Sequence, residues 1–87
     1  MEWNMCKNGL PLKSGKYLVI RLIFKHLSVD TMYFASDLSN LDQYSFKYKK
    51  RPGFYDFDSE YGYYEVDKVI AWGETPEIPQ EIQRQYN

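Results

Sequence analysis

From Gly15 to Phe24 the chain reads Gly-Lys-Tyr-Leu-Val-Ile-Arg-Leu-Ile-Phe. Leu18, Ile20, Leu22 and Phe24 alternate, so in a strand all four point to one face. Tyr17, Val19, Arg21 and Ile23 occupy the other face, which is apolar except for Arg21. Such a strand needs full cover on one face and partial cover on the other, and the rest of the fold is expected to supply it. Val29 to Ala35 repeats the alternation. Val29, Thr31, Tyr33 and Ala35 share one face, and Asp30, Met32 and Phe34 the other. β-branched and aromatic residues dominate, which predicts a second strand. The link between the two is short, so an antiparallel hairpin is the simplest connection.

Periodicity weakens after Ala35. Ser36-Asp37 can cap a short helix, and Leu38 and Leu41 are spaced as on one helical face, so a single turn or an excursion loop is expected. Tyr44-Ser45-Phe46-Lys47-Tyr48 alternates strictly and predicts a strand, ended by Lys49-Lys50-Arg51-Pro52-Gly53. Phe54–Asp58 predicts a further short strand, with a turn at Ser59–Gly62. Tyr63–Trp72 is expected to return as one strand, with Tyr64, Val66, Ile70 and Trp72 on a shared face interrupted only by Lys68. Its last part is apolar on both faces, which points to a central position and to Trp72 as a core anchor. Pro76 and Pro79 end the sheet. Before the organising strand, an arm holding Trp3 and Leu10-Pro11 is expected to lie across the sheet. The expectation is a mainly β fold, or α+β if short helices are counted. It consists of one small antiparallel sheet of about four to five strands with at most a short helix. Residues 1–79 are expected to form one compact domain and residues 80–87 a polar tail, or one frayed helical turn started by Pro79.

Composition narrows the function classes. Eighty-seven residues support one small core, and an aromatic content of 18%, mostly tyrosine, is how such a core gains area. A net charge of −1 disfavours generic binding to a phosphate backbone. Cys6 is the single cysteine, which fits a reducing compartment, and the first residues lack the basic and apolar regions of a signal peptide. No apolar run approaches membrane-spanning length. A soluble cytoplasmic protein is the expectation.

Trp3, Leu10-Pro11, Gly15, Tyr17-Leu18-Val19, Phe54-Tyr55-Asp56, Val69-Ile70-Ala71-Trp72 and the spaced Pro76 and Pro79 come in an order that resembles the domain of unknown function 551 family. Those small proteins are encoded largely by phages, prophages and their bacterial hosts. The resemblance spans Trp3 to Pro79. The chain departs from the usual Trp-Met-Pro-Leu-Pro close, because Gly73-Glu74-Thr75 separates Trp72 from Pro76, and the Ser36–Arg51 excursion is longer than is usual. The resemblance implies a phage-type accessory protein with a mainly β fold and supplies no catalytic residues.

Candidate chemistry is sparse. Asp56, Asp58, Glu60, Gly62 and Asp67 echo a calcium loop, but the glycine is one place late and the twelfth position is Asp67 rather than glutamate. A solvated turn explains them as well. His26 has no partner ligands in sequence, and Cys6 has no local base, so neither is read as catalytic or metal-binding. No catalytic, cofactor or metal residues are assigned, and the chain is not read as an enzyme. Charge segregation is more informative. Lys47, Lys49, Lys50 and Arg51 form a basic cluster, followed by Asp56, Asp58, Glu60, Glu65 and Asp67 with no base among them. Tyrosines thread the acidic stretch, and tyrosine suits contact surfaces. Asp56, Asp58, Glu60, Tyr61, Tyr63 and Glu65 are therefore the candidates for binding a host protein, by inhibition of a defence protein such as a CRISPR effector. The second reading is a nucleic-acid-binding or regulatory module using Lys47, Lys49, Lys50 and Arg51. The competing structural reading is that the two charge clusters simply pair across adjacent strands.

Overall fold

The structure, a computed structural model, describes residues 2–86. Its strands are β1 (Asn4–Met5), β2 (Gly15–Ile23), β3 (His26–Ala35), β4 (Gly53–Asp58), β5 (Gly62–Val66) and β6 (Val69–Glu74). They form one antiparallel sheet of six strands in the order β1-β6-β2-β3-β4-β5, and a short helix α1 (Gln80–Tyr86) follows. The fold is mainly β, as the alternation predicts, with one or two strands more than expected.

β2 and β3 pair along their whole length, from Gly15↔Phe34 to Ile23↔His26. Phe24 and Lys25 make the two-residue turn with φ of 46° and 69°, the left-handed pair that a tight hairpin needs. Asn-Gly is the usual choice there, so no turn signal marked the spot. Phe24 consequently leaves the apolar row and stands in solvent.

The covered face of β2 is the reverse of the one with the longer apolar row. Tyr17 and Val19 are buried, whereas Leu18 and Ile20 are half-covered and Leu22 is exposed. Tyr17, Val19, Met32, Phe34, Phe54 and Val66 form the main core. The N-terminal arm crosses this face and explains the choice. Leu10 and Cys6 pack on the core, the Tyr17 hydroxyl donates to the Lys13 carbonyl at 2.8 Å, and Trp72 Nε1 donates to the Gly9 carbonyl at 2.9 Å. Trp72 meets Tyr17 edge-on at 5.5 Å but is only half-buried, so it flanks the core rather than anchoring it. Trp3 lies at the rim of the same arm, 38% exposed.

The segment expected to run as one strand from Tyr63 to Trp72 is two strands on different sides of β2. Lys68 has φ of 56° and breaks it, leaving Asp67-Lys68 as the only residues between β5 and β6. In a flat sheet the four strand spacings from β5 to β6 would amount to about 19 Å. The chain from Val66 to Val69 reaches about 11 Å at most. The sheet must therefore curl toward the face that carries Tyr17 and Val19. Val66 and Val69 indeed share one cluster with Val19, and the Leu22 N–H donates to the Lys68 carbonyl at 3.1 Å. The core face is concave and the opposite face convex.

The excursion between β3 and β4 covers one end of the convex face. Asp37 caps a 3-10 turn at Leu38–Asn40, its carboxylate accepting from the Ser39 N–H at 3.0 Å and the Ser39 hydroxyl at 2.7 Å, as the Ser-Asp signal predicts. These two bonds hold the Asp37 carboxyl below its ordinary range. Tyr44–Phe46 is a second 3-10 turn, not the predicted strand. Five alternating residues put Phe46 inward in either conformation. The Phe46 and Lys47 N–H groups bond locally to Gln43 and Tyr44, so no strand partner is needed. Phe46 is 2% exposed and joins Ala35 and Leu38 in a second cluster, flanked by Leu41, Tyr55 and Tyr63. Residues 80–86, expected as a polar tail with one frayed helical turn started by Pro79, form the longer α1, with the Ile82 and Gln83 N–H groups on the Pro79 carbonyl.

Leu38 sits directly against Gly53, where an added Cβ would lie 2.7 Å from Leu38 Cδ1 and 3.3 Å from its Cγ. Leu38 is fully buried and has no room to retreat. Gly53→Ala is expected to destabilise the fold by about 1–3 kcal/mol through overpacking. Urea unfolding measures this, and a companion Leu38→Ala change in the same chain should recover part of the loss if the clash is the cause.

Candidate protein-binding surface on the β4–β5 hairpin

β4 and β5 pair from Phe54↔Val66 to Asp58↔Gly62. Asp58 builds the turn: its Oδ1 accepts the N–H groups of Glu60 at 2.7 Å and Tyr61 at 3.1 Å. Gly62 supplies the positive φ of 83° that closes it. The residues that echo a calcium loop are thus a β-hairpin and its turn. Among the described residues, no three His, Cys, Asp or Glu side chains converge.

Alternation distributes the candidate residues over two faces. Asp56 and Tyr64 lie opposite one another on the core face of the sheet, with the Tyr64 hydroxyl 3.5 Å from Asp56 Oδ2. Desolvation first, and the Asp56 charge second, push the Tyr64 hydroxyl pKa up. Tyr63 and Glu65 point to the convex face with Tyr55 and Phe57. Glu60 and Tyr61 stand at the tip, Tyr61 82% exposed. The structure therefore brings the six candidates to one hairpin but not to one face.

Glu65 is committed within the chain. Arg51 clamps it with two bonds, Nη1 to Oε2 at 2.6 Å and Nη2 to Oε1 at 2.7 Å, and Lys49 Nζ adds a third at 3.0 Å. The Arg51 hydrogen bonds first, with help from Lys49, hold the Glu65 carboxyl at about 2 against partial burial. Cross-chain pairing of the two charge clusters is thus real for Lys49, Arg51 and Glu65. It does not extend to Asp56, Asp58 or Glu60, which have no cationic partner among the described residues. Lys47 lies 5.4 Å from the ring of Tyr48, and Lys47 and Lys50 are exposed.

Gln43 is the feature of this hairpin that sequence reading missed. Its side-chain amide bonds the outer edge of β5 at both groups of one residue. The Tyr63 N–H donates to Gln43 Oε1 at 2.7 Å, and Gln43 Nε2 donates to the Tyr63 carbonyl at 2.6 Å. The amide stands in for a neighbouring strand and blunts the sheet edge. Nothing local in the sequence marks a glutamine for that role, since its partner lies twenty residues away.

Tyr33, Tyr55, Phe57 and Tyr63 line a shallow groove of about 330 Å³ on the convex face. Tyr33 stacks on Tyr55 at 5.6 Å, and Tyr63 meets Tyr55 and Phe57 edge-on at 5.6 and 5.2 Å. Burial and the neighbouring Tyr63 and Tyr33 push the Tyr55 hydroxyl pKa up. Elsewhere, burial raises the Cys6 thiol pKa, which makes it a poorer nucleophile, and His26 is exposed at the start of β3. No described helix is long and apolar enough to cross a membrane. Comparison with protein-family models, curated proteins and solved structures finds no match.

The Glu65 clamp has a pH signature. Its folded carboxyl titrates near 2 against an ordinary 4.5. A depressed folded value stabilises the native state above the unfolded value, and that contribution disappears as pH falls from about 4.5 towards 2. Glu65→Gln is expected to lower the melting temperature at neutral pH and to flatten the acid limb in that window. Thermal melts from pH 7 to pH 2 check both. Gln43→Ala should speed hydrogen exchange at the Tyr63 amide, read by NMR, while leaving the Phe34 amide slow.

Proposed function

We propose that this chain is a small accessory protein of the phage or prophage type that works by binding a host protein through the tip and core-side edge of the β4–β5 hairpin. The carrying observation is that Asp56, Asp58 and Glu60 stand beside exposed Tyr61 and Tyr64 without a salt bridge among the described residues, the nearest cation on that face being Arg21, which is felt at Tyr64. Such a surface complements a basic one, and a defence protein that handles nucleic acid, a CRISPR effector for example, offers that. The resemblance of the chain's Trp3-to-Pro79 pattern to small phage proteins supports the setting. Glu65 and Tyr63 leave the contact set, because the first is clamped by Arg51 and Lys49 and the second is half-buried against Tyr55 and Phe57. The nucleic-acid reading loses ground for the same reason: two of its four cations, Lys49 and Arg51, are held by Glu65.

Affinity capture from a bacterial lysate, followed by mass spectrometry, identifies the partner. Reversing Asp56, Asp58 and Glu60 to lysine is then expected to slow association and flatten its salt dependence, because unpaired rim charges act mainly on encounter. Tyr61→Ala should speed dissociation, about tenfold if it is a hot spot. Normal capture by the lysine variant, with loss of binding on neutralising Lys47 and Lys50, would transfer the function to the basic cluster.

A further inference from the structure

β3 pairs with β4 at only three positions, Tyr33↔Tyr55, Phe34↔Phe54 and Ala35↔Gly53. Continued, that register would set Thr31 opposite Phe57. Instead the Thr31 N–H is taken by Asp30 Oδ1 at 3.0 Å and the Phe57 N–H by Asp56 Oδ1 at 2.8 Å. Each aspartate replaces the cross-strand acceptor, and the two hairpins part. Among the described residues, the outer edge of β3 from His26 to Asp30 therefore has no strand beside it.

This edge is unlike the others. β1 is two residues long, and β5 is capped by Gln43 at Tyr63. The His26–Asp30 edge carries no lysine, proline or bulge, and its one guarding charge, Asp30, lies on the core face where His26 can meet it. Its convex-face side chains, Leu27 and Val29, are 67% and 63% exposed. Ile23 pairs with His26 across the two-residue turn, so ladder alternation directs the N–H and C=O groups of Leu27 and Val29 outward.

The run His26-Leu27-Ser28-Val29-Asp30 is self-complementary when set against itself in reverse. We propose that this edge pairs with the same edge of a second copy, antiparallel about a two-fold axis at Ser28. Leu27 then exchanges both backbone hydrogen bonds with the second copy's Val29, and Val29 with its Leu27. Their apolar side chains share the convex face. On the other face each His26 meets the second copy's Asp30, an imidazole N–H opposite a carboxylate. The backbone groups that point outward are the ones this register uses, and no charge meets a like charge. The pairing continues the sheet from one copy into the next and closes at two.

Sedimentation over a wide concentration range, combined with hydrogen exchange at single amides, tests this. The intact protein is expected to pass from one chain mass to twice that mass as concentration rises, because the paired stretch is short. The Leu27 and Val29 amides should become protected over the same range. Val29→Lys should stay monomeric with an unchanged far-UV spectrum. His26→Asp should weaken the dimer at least tenfold by opposing two carboxylates, and adding Asp30→His in the same chain should restore it. A monomer at every concentration overturns the proposal. So does a dimer in which the Leu27 and Val29 amides exchange as fast as in dilute solution, or one that survives Val29→Lys but is lost on removing residues 80–87.

Discussion

Two residues set the shape of this protein. Asp67 and Lys68 must carry the chain from β5 at one edge of the sheet to β6 beyond β2. A flat sheet puts those strands farther apart than two residues can span. Curling is the geometric answer, and Lys68 takes a left-handed conformation to allow it. The curl draws Val66 and Val69 onto Val19, so residues from five strands meet in one concave core. It also explains why the face of β2 with the longer apolar row is the less covered one: a small chain can fill the inside of a curl with few side chains, and the outside needs a second layer. The Ser36–Pro52 excursion supplies that layer only over Ala35, Tyr55 and Tyr63.

Short polar side chains decide where strand pairing stops. Gln43 closes β5 by bonding both groups of Tyr63, and Asp30 and Asp56 each satisfy the N–H of the residue that follows. A free backbone donor at Thr31 or Phe57 would favour continued pairing of β3 with β4. Capping removes that drive and lets the two hairpins follow the sheet's twist apart. Edge control and hairpin separation are therefore one device, achieved with three side chains.

The strand pattern was legible where alternation ran long: β2, β3 and β4 lie close to where the hydrophobic period puts them, and Asp37 caps as its sequence context predicts. Which face of β2 is buried was not legible, since both faces are apolar and the decision rests on an arm that crosses from Cys6 to Lys13. The five-residue alternation at Tyr44–Tyr48 misled because one inward ring, Phe46, satisfies a turn as readily as a strand. Tyr63–Trp72 read as continuous because Lys68 is a residue of ordinary propensity, and nothing but its φ announces the break. Of the candidate site, the charge segregation was visible in sequence. Its division between a clamped carboxylate and unpaired ones required the fold, because sheet register alone decides that Glu65 faces Lys49 and Arg51 while Asp56 points the other way.

That division gives the hairpin its electrical character. A complete pairing of the two clusters would have left a neutral, locally stapled surface. Here one carboxylate absorbs two cations, and its hydrogen bonds are charge-assisted and bidentate to Arg51, so the Arg51–Glu65 clamp ties the excursion to β5 more firmly than a singly bonded surface pair would. The remaining cations, Lys47 and Lys50, stay on the excursion over the convex face, while Asp56 lies on the core face and Asp58 and Glu60 at the turn. Screening at physiological salt acts over about 8 Å, so charges on separate elements are felt as separate patches rather than as their sum. A chain with a net charge of −1 can in this way present a distinctly acidic tip. The same arithmetic applies at the β3 edge, where His26 and Asp30 sit on one face four residues apart. With Asp30 as its one formal charge, and that carboxylate opposite an imidazole rather than another carboxylate in the antiparallel register, the edge does not repel a second copy laid beside it. The acidic hairpin tip, by contrast, sets carboxylates of like sign against a second copy of itself.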